Sequence, residues 1–153
     1  EVGGTKKTYG RAHPGFMIQE EAHRQMAFTL YMAMRTARLE ITNSTIKPLD
    51  GNKQEVNVVV RNSGMLPTHT GPDLKHGITP PDLIIIKNVS KVLQVTSPAS
   101  IHDGSNKEAA IVKIPNIPGN GEVKITWIVE GKGDYEVSVK STRGGVAKHQ
   151  VKL

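Results

Sequence analysis

The chain of 153 residues contains no cysteine. Disulfides, thiolate nucleophiles and cysteine-bound zinc are therefore excluded. Aromatic residues are scarce, with one Trp, two Phe and three Tyr, which leaves no series of stacking platforms for single-stranded nucleic acid. No run approaches the roughly 18 apolar residues that mark a membrane-spanning helix, and the N-terminus has no signal-peptide apolar stretch. Acidic residues are the minority sign, giving a formal net charge of +6. The basic residues are nevertheless spread along the chain from Lys6 to Lys152, with only Lys6 and Lys7 adjacent, a dispersion that argues against a phosphate-tracking patch. Neither nucleic acid nor membrane is expected as a partner. On strands, Lys124, Lys140 and Lys148 read instead as residues that blunt exposed edges or solvate an outer face. With 37% hydrophobic and 22% charged residues, the composition carries no disorder signature and suits one compact core.

What is present begins with a helix. Residues Phe16 to Leu39 place Ile18, Ala22, Met26, Leu30, Ala33 and Ala37 along one stripe at helical spacing. From Met26 to Met34 almost every side is apolar. Such a segment is normally the core helix of a larger domain, and the methionines read as core filler rather than as an adaptable binding groove. The following residues look all-β, so the chain reads as the last helix of an upstream domain joined to a small β-domain. If nothing else covers it, the helix is expected to self-associate or to be poorly ordered. His13-Pro14-Gly15 breaks the chain before it, and Glu20, Glu21, Arg35 and Arg38 suit its dipole.

After Leu39 the period changes to two. Strands are expected over Leu39 to Ile46, around Val56, Val58 and Val60, over Leu83 to Lys87, Val92 to Thr96 and Ala109 to Ile114, then through Val123, Ile125, Trp127 and Val129, through Tyr135, Val137 and Val139, and over Ala147 to Leu153. Pro48-Leu49-Asp50-Gly51 predicts a turn, Met65 to Pro81 a long loop, and Asn120-Gly121 a hairpin into the Trp127 strand. The alternation assigns both Trp127 and Tyr135 inward. Together these features predict a mainly β chain: an immunoglobulin-like or fibronectin-like antiparallel sandwich of seven or eight strands, preceded by one long N-terminal helix. The boundary is placed between 1–38 and 39–153.

Glu1-Val2-Gly3-Gly4, Lys7, Pro14 and the segment Glu20 to Tyr31 resemble the end of the catalytic domain in bacterial zinc carboxypeptidases of the M14 type. Val60-Arg61-Asn62-Ser63-Gly64 and Trp127 to Gly133 resemble phrases of the sandwich appended to members of that group. The resemblance implies a periplasmic or secreted parent that holds zinc and cleaves peptides. It also implies that Glu1 is the glutamate taking a proton from zinc-bound water as general base. The family's His-x-x-Glu zinc pair has no counterpart here, since none of the six histidines has a Glu three residues later. No metal site and no cofactor is therefore expected in this stretch, which is expected to be inactive alone. The ligands and the substrate-binding arginine would lie upstream.

Other candidates carry a bland alternative. Glu20 and His23 share a helical face at a chelating spacing, but a lone pair is half a metal site. His69, Asp73, His76 and Asp82 crowd a Pro-rich stretch and suggest a triad or metal cluster, although no nucleophile elbow accompanies them. Asp50 to Gln54 alternates oxygen-bearing side chains without the terminal bidentate Glu of a calcium loop. None of the Gly-rich segments has the Gly-Lys-Ser/Thr ending of a phosphate cradle, and Asn43-Ser44-Thr45 and Asn88-Val89-Ser90 match only the glycosylation pattern. Beside the peptidase-accessory reading stands a second one: a protein- or carbohydrate-binding sandwich with a helical assembly element.

Overall fold

The computed structural model of the chain describes residues 3–4, 13–98, 110–131 and 133–152. It divides into two compact units, Glu1–Arg35 and Thr36–Leu153. In the first, a single 3-10 turn at Gly15–Met17 leads into helix α1, Ile18–Met34. Glu20 and Glu21 occupy the first turn, where the helix dipole favours acid, and Glu20 pairs with Arg24 one turn on. Arg35 leaves the helical region at ψ near 0°, with its N–H on Met32 O and Ala33 O and its guanidinium over the Tyr31 ring.

The helix therefore stops at Met34 and not at Leu39 as the periodicity suggested. The reason is competition from the second unit: Ala37 is buried there, Arg38 N–H donates to Asn62 Oδ1 and Leu39 N–H to Gly144 O. The same contacts put the division after Arg35, three residues before the expected boundary.

Among the described residues the second unit has eight strands: β1 Leu39–Leu49, β2 Lys53–Asn62, β3 Asp82–Lys87, β4 Lys91–Thr96, β5 Ile111–Ile114, β6 Glu122–Glu130, β7 Tyr135–Ser141 and β8 Gly145–Val151. They form two antiparallel sheets, β1-β2-β6-β4 and β5-β3-β7-β8. This is the order of an immunoglobulin-like sandwich with β5 beside the third strand. One departure is that the chain lays down β4 in the first sheet before β5 in the second. The core cluster draws on both sheets, with Val56, Val58, Val60, Ile125, Trp127 and Val129 from one and Ile84, Ile86, Val137 and Val139 from the other. They alternate with outward-facing neighbours, some polar and some apolar such as Val59, Ile85 and Ile128.

Five details correct the sequence-based expectations. β1 runs on through Pro48, which an edge strand tolerates because it need not donate on its open side. β5 begins at Ile111 rather than Ala109, and β8 spans Gly145–Val151. Asn120 does take a left-handed φ of 54°, but β5 and β6 lie in different sheets, so the turn is a crossover and not a hairpin. Within the expected loop Met65 to Pro81 a short helix forms, α2 Gly71–His76, with Pro72 in its first turn and Gly77 left-handed at its end.

Edges are guarded. β1 carries a bulge between Ile41 and Asn43, and β4 one between Val92 and Gln94. β5 is only four residues long, and β8 exposes Lys148.

Candidate functional site

The residue singled out by the resemblance, Glu1, lies outside the described residues. Glu20 is engaged by Arg24, and His23 is exposed one turn away. Of Asp50 to Gln54, residues 50–52 form the β1–β2 turn and Lys53 and Gln54 open β2, with Gln54 pointing inward to accept the Tyr135 hydroxyl. Trp127 and Tyr135 are both buried, as their alternation predicts. Tyr135 at the start of β7 also donates back to Gly131 O, the geometry of a tyrosine corner. Burial raises its phenol above the ordinary tyrosine range. Lys124 and Lys140 lie on central strands and solvate outer faces, while Lys148 is on an edge.

The stretch between β2 and β3 does assemble a polar cluster. Thr68 is stitched to the 116–117 segment by Thr68 N–H on Ile117 O and by Ile117 N–H on Thr68 Oγ1. That fixes His69, whose Nε2 donates to Pro80 O at 3.1 Å; its Nδ1 lies 3.2 Å from Thr68 Oγ1 and 3.8 Å from Asp82 Oδ2. Asp82 is fully buried and neither carboxylate oxygen has a hydrogen-bond partner in the structure. Asp73, on α2, accepts Thr79 N–H at 2.8 Å and the Thr79 hydroxyl at 2.7 Å, with Arg143 Nη2 3.3 Å away. The Thr79 hydroxyl bond is the main cause holding the Asp73 carboxyl below the usual aspartate range; burial opposes it, and the Thr79 backbone bond and the charges of Arg143 and His69 assist.

Three of the four residues suspected from sequence thus come together, and His76 does not; it is exposed at the end of α2. Their arrangement is not that of a triad. The His69 nitrogen that would face a nucleophile is spent on a backbone carbonyl, and the pair is buried at 3% and 0% exposure. Among the described residues no three His, Asp or Glu side chains group so as to hold a metal. The chemistry the cluster does perform is mechanical: it clips α2 and its flanking loop to the sandwich.

Sequence reasoning missed Thr79, Arg143 and, above all, Asn62. That buried side chain accepts from Arg38 N–H and Gly64 N–H, both at 3.0 Å, and donates to Leu66 O, Ile117 O and Pro118 O. Val60 to Gly64, read as a family phrase, is therefore a structural knot. A groove of about 440 Å³ lies beside it, lined by Thr36, Ala37, Leu66, Pro67, Thr70 and Arg143. No described helix is long and apolar enough to cross a membrane.

Comparison with curated proteins gives no match. Residues 38–152, the sandwich from the approach to β1 to the residue after β8, match the family model described as Domain of unknown function (DUF8731), and the chain belongs to that family.

Proposed function

We propose that the sandwich is a non-catalytic accessory module that stabilises or extends a preceding hydrolase body, and that α1 is the final helix of that body. The observation that carries this is the helix itself. Met26, Phe28, Leu30, Tyr31, Met32 and Met34 lie on α1, and none of them is buried. Covering one such side chain fully is worth about 1.5 to 3 kcal/mol, so six of them call for a protein partner. The family match begins at residue 38, beyond the helix, which supports treating α1 as belonging with different polypeptide.

Identifying that body as a zinc metallocarboxypeptidase rests on the resemblance of Glu1 to Gly4 and Glu20 to Tyr31 to the M14 type. Among the described residues no three His, Asp or Glu side chains group as a metal site would need. Metal and peptide substrate belong to the parent in this reading, with Glu1 as its general base.

Two measurements test the proposal. The coding sequence upstream of Glu1 should contain His-x-x-Glu followed at long distance by a lone His; a start codon close to Glu1 sinks the peptidase reading. Sedimentation of this chain should show concentration-dependent association that is lost in residues 36–153. A monomeric chain that binds no apolar dye would remove the uncovered helix as support.

A further inference from the structure

The two sheets differ in what they show to solvent. On the outer face of β1-β2-β6-β4, register places opposite charges side by side: Arg61 lies between Glu40 and Glu122, Glu55 opposite Lys47, and Glu130 between Lys53 and Lys91. Direct cross-strand neighbours are about 5 Å apart at Cβ, close enough to compensate one another. Lys124, opposite Val59, is the one lysine in these registers without an acid across a strand, so charges on that face nearly balance.

On the outer face of β5-β3-β7-β8 they do not. One row across it reads Lys113, Leu83, Lys140, Val146, and the next reads Ile111, Ile85, Ser138, Lys148. A third reads Lys87, Glu136, Gln150, in which Lys87 and Glu136 bond at 3.0 Å. Glu136 is the only acid in these rows, and its charge is taken first by Lys87. Lys113, Lys140 and Lys148 are exposed with no acid directly across a strand, Lys148 having only a weaker, diagonal pull on Glu136, and they border apolar side chains, of which Ile111 and Val146 are 49% and 65% exposed.

We propose that this lysine-bordered apolar face docks an acidic protein surface, one that sets carboxylates against Lys113, Lys140 and Lys148 and apolar side chains against Ile111, Ile85 and Val146. Charge complementarity selects the sign of the partner and the apolar rows its class. A polyanion such as heparin or nucleic acid would use arginine forks and aromatic platforms, and these rows hold neither. An anionic bilayer favours aromatic side chains at its interface, also absent from these rows. The inference does not depend on what body α1 belongs to, so either can fail alone.

The probe is a soluble peptide of glutamates interspersed with leucines, titrated into the full chain. Binding should weaken as salt is raised, and amide shifts should concentrate on β3, β5, β7 and β8. Reversal of Lys113, Lys140 and Lys148 to Glu should weaken it roughly tenfold or more, and their neutral Gln versions should weaken it less. Reversing Lys47, Lys53 and Lys91 on the other sheet changes net charge equally and should leave affinity within about twofold. A serine-for-leucine peptide should bind several-fold more weakly. Equal loss from both lysine sets, no dependence on the leucines, or tighter binding to heparin or to phosphatidylserine vesicles would each overturn the proposal. All six lysines point outward, and an unchanged far-UV spectrum checks that each variant folds.

Discussion

Asn62 Oδ1 accepts the backbone N–H of Gly64 two residues on, at 3.0 Å, and the same oxygen accepts Arg38 N–H. One buried amide thus joins the start of β1, the end of β2 and, through its NH2 group, the segment before β6. Asn62→Ala should lower unfolding free energy by about 2 to 4 kcal/mol, because buried donors and acceptors lose their partner at once. Asn62→Asp keeps the acceptor but no donor and should also destabilise. Urea unfolding of the two variants decides it; a shift under about 0.5 kcal/mol for Asn62→Ala would mean that water replaces the amide.

Gly64 and Gly119 have a different duty in the same knot. A Cβ at Gly64 would stand 2.0 Å from Thr36 O, and one at Gly119 would stand 1.9 Å from Met65 O, both backbone atoms that cannot swing away. Either alanine substitution should cost about 2 to 3 kcal/mol by overpacking. Gly71→Ala, where a Cβ meets nothing within 4 Å, is the control and should be nearly silent. Thermal midpoints of the three variants are enough to test the contrast.

His69 and Asp82 should be energetically coupled. Removing the ring in His69→Ala opens a cavity beside the buried Asp82, 3.8 Å away, and leaves the Pro80 carbonyl without its donor, a loss of about 3 kcal/mol. In an Asp82→Asn background the same change should cost at least about 1 kcal/mol less. Additivity in that double-mutant cycle would show that the two side chains ignore each other.

Asp73 gives the chain an acid-sensitive clip. Its carboxyl is held below the usual aspartate range in the folded state, chiefly by the Thr79 hydroxyl. Stability from this source is complete above the unfolded value, near pH 4, and is lost as pH falls through the lower folded value. Thr79→Val should therefore destabilise most at neutral pH, and the gap between variant and parent should shrink by pH 3. Urea midpoints at the two pH values measure it; a gap that is constant with pH would assign Thr79 a packing role only.

The strands with clean alternation were legible before any coordinates. Val123, Ile125, Trp127 and Val129 all fall in the core because one face of β6 is buried and period two permits no other assignment. The junctions were harder. Asn120-Gly121 has hairpin chemistry, yet which strands pair is decided by the core on either side and not by two turn residues. Residues 71–77 contain the signals of a short helix, Pro72 early and Gly77 after the end, but six residues are too few for a periodic stripe to show. Of the polar cluster, the residue types were visible and their roles were not. Nothing near Asn62 in sequence reveals that its partners are the backbone of residues 38 and 117–118. The lysine face needs the register of four strands before its rows exist.

The bulges in β1 and β4, the brevity of β5 and the cation on β8 have a collective effect. A sandwich with open rims could grow by adding ribbons from other molecules and end as fibrils. Here that route is obstructed at each border, so crowding should drive the protein into finite clusters through its side-chain surfaces rather than into cross-β polymer.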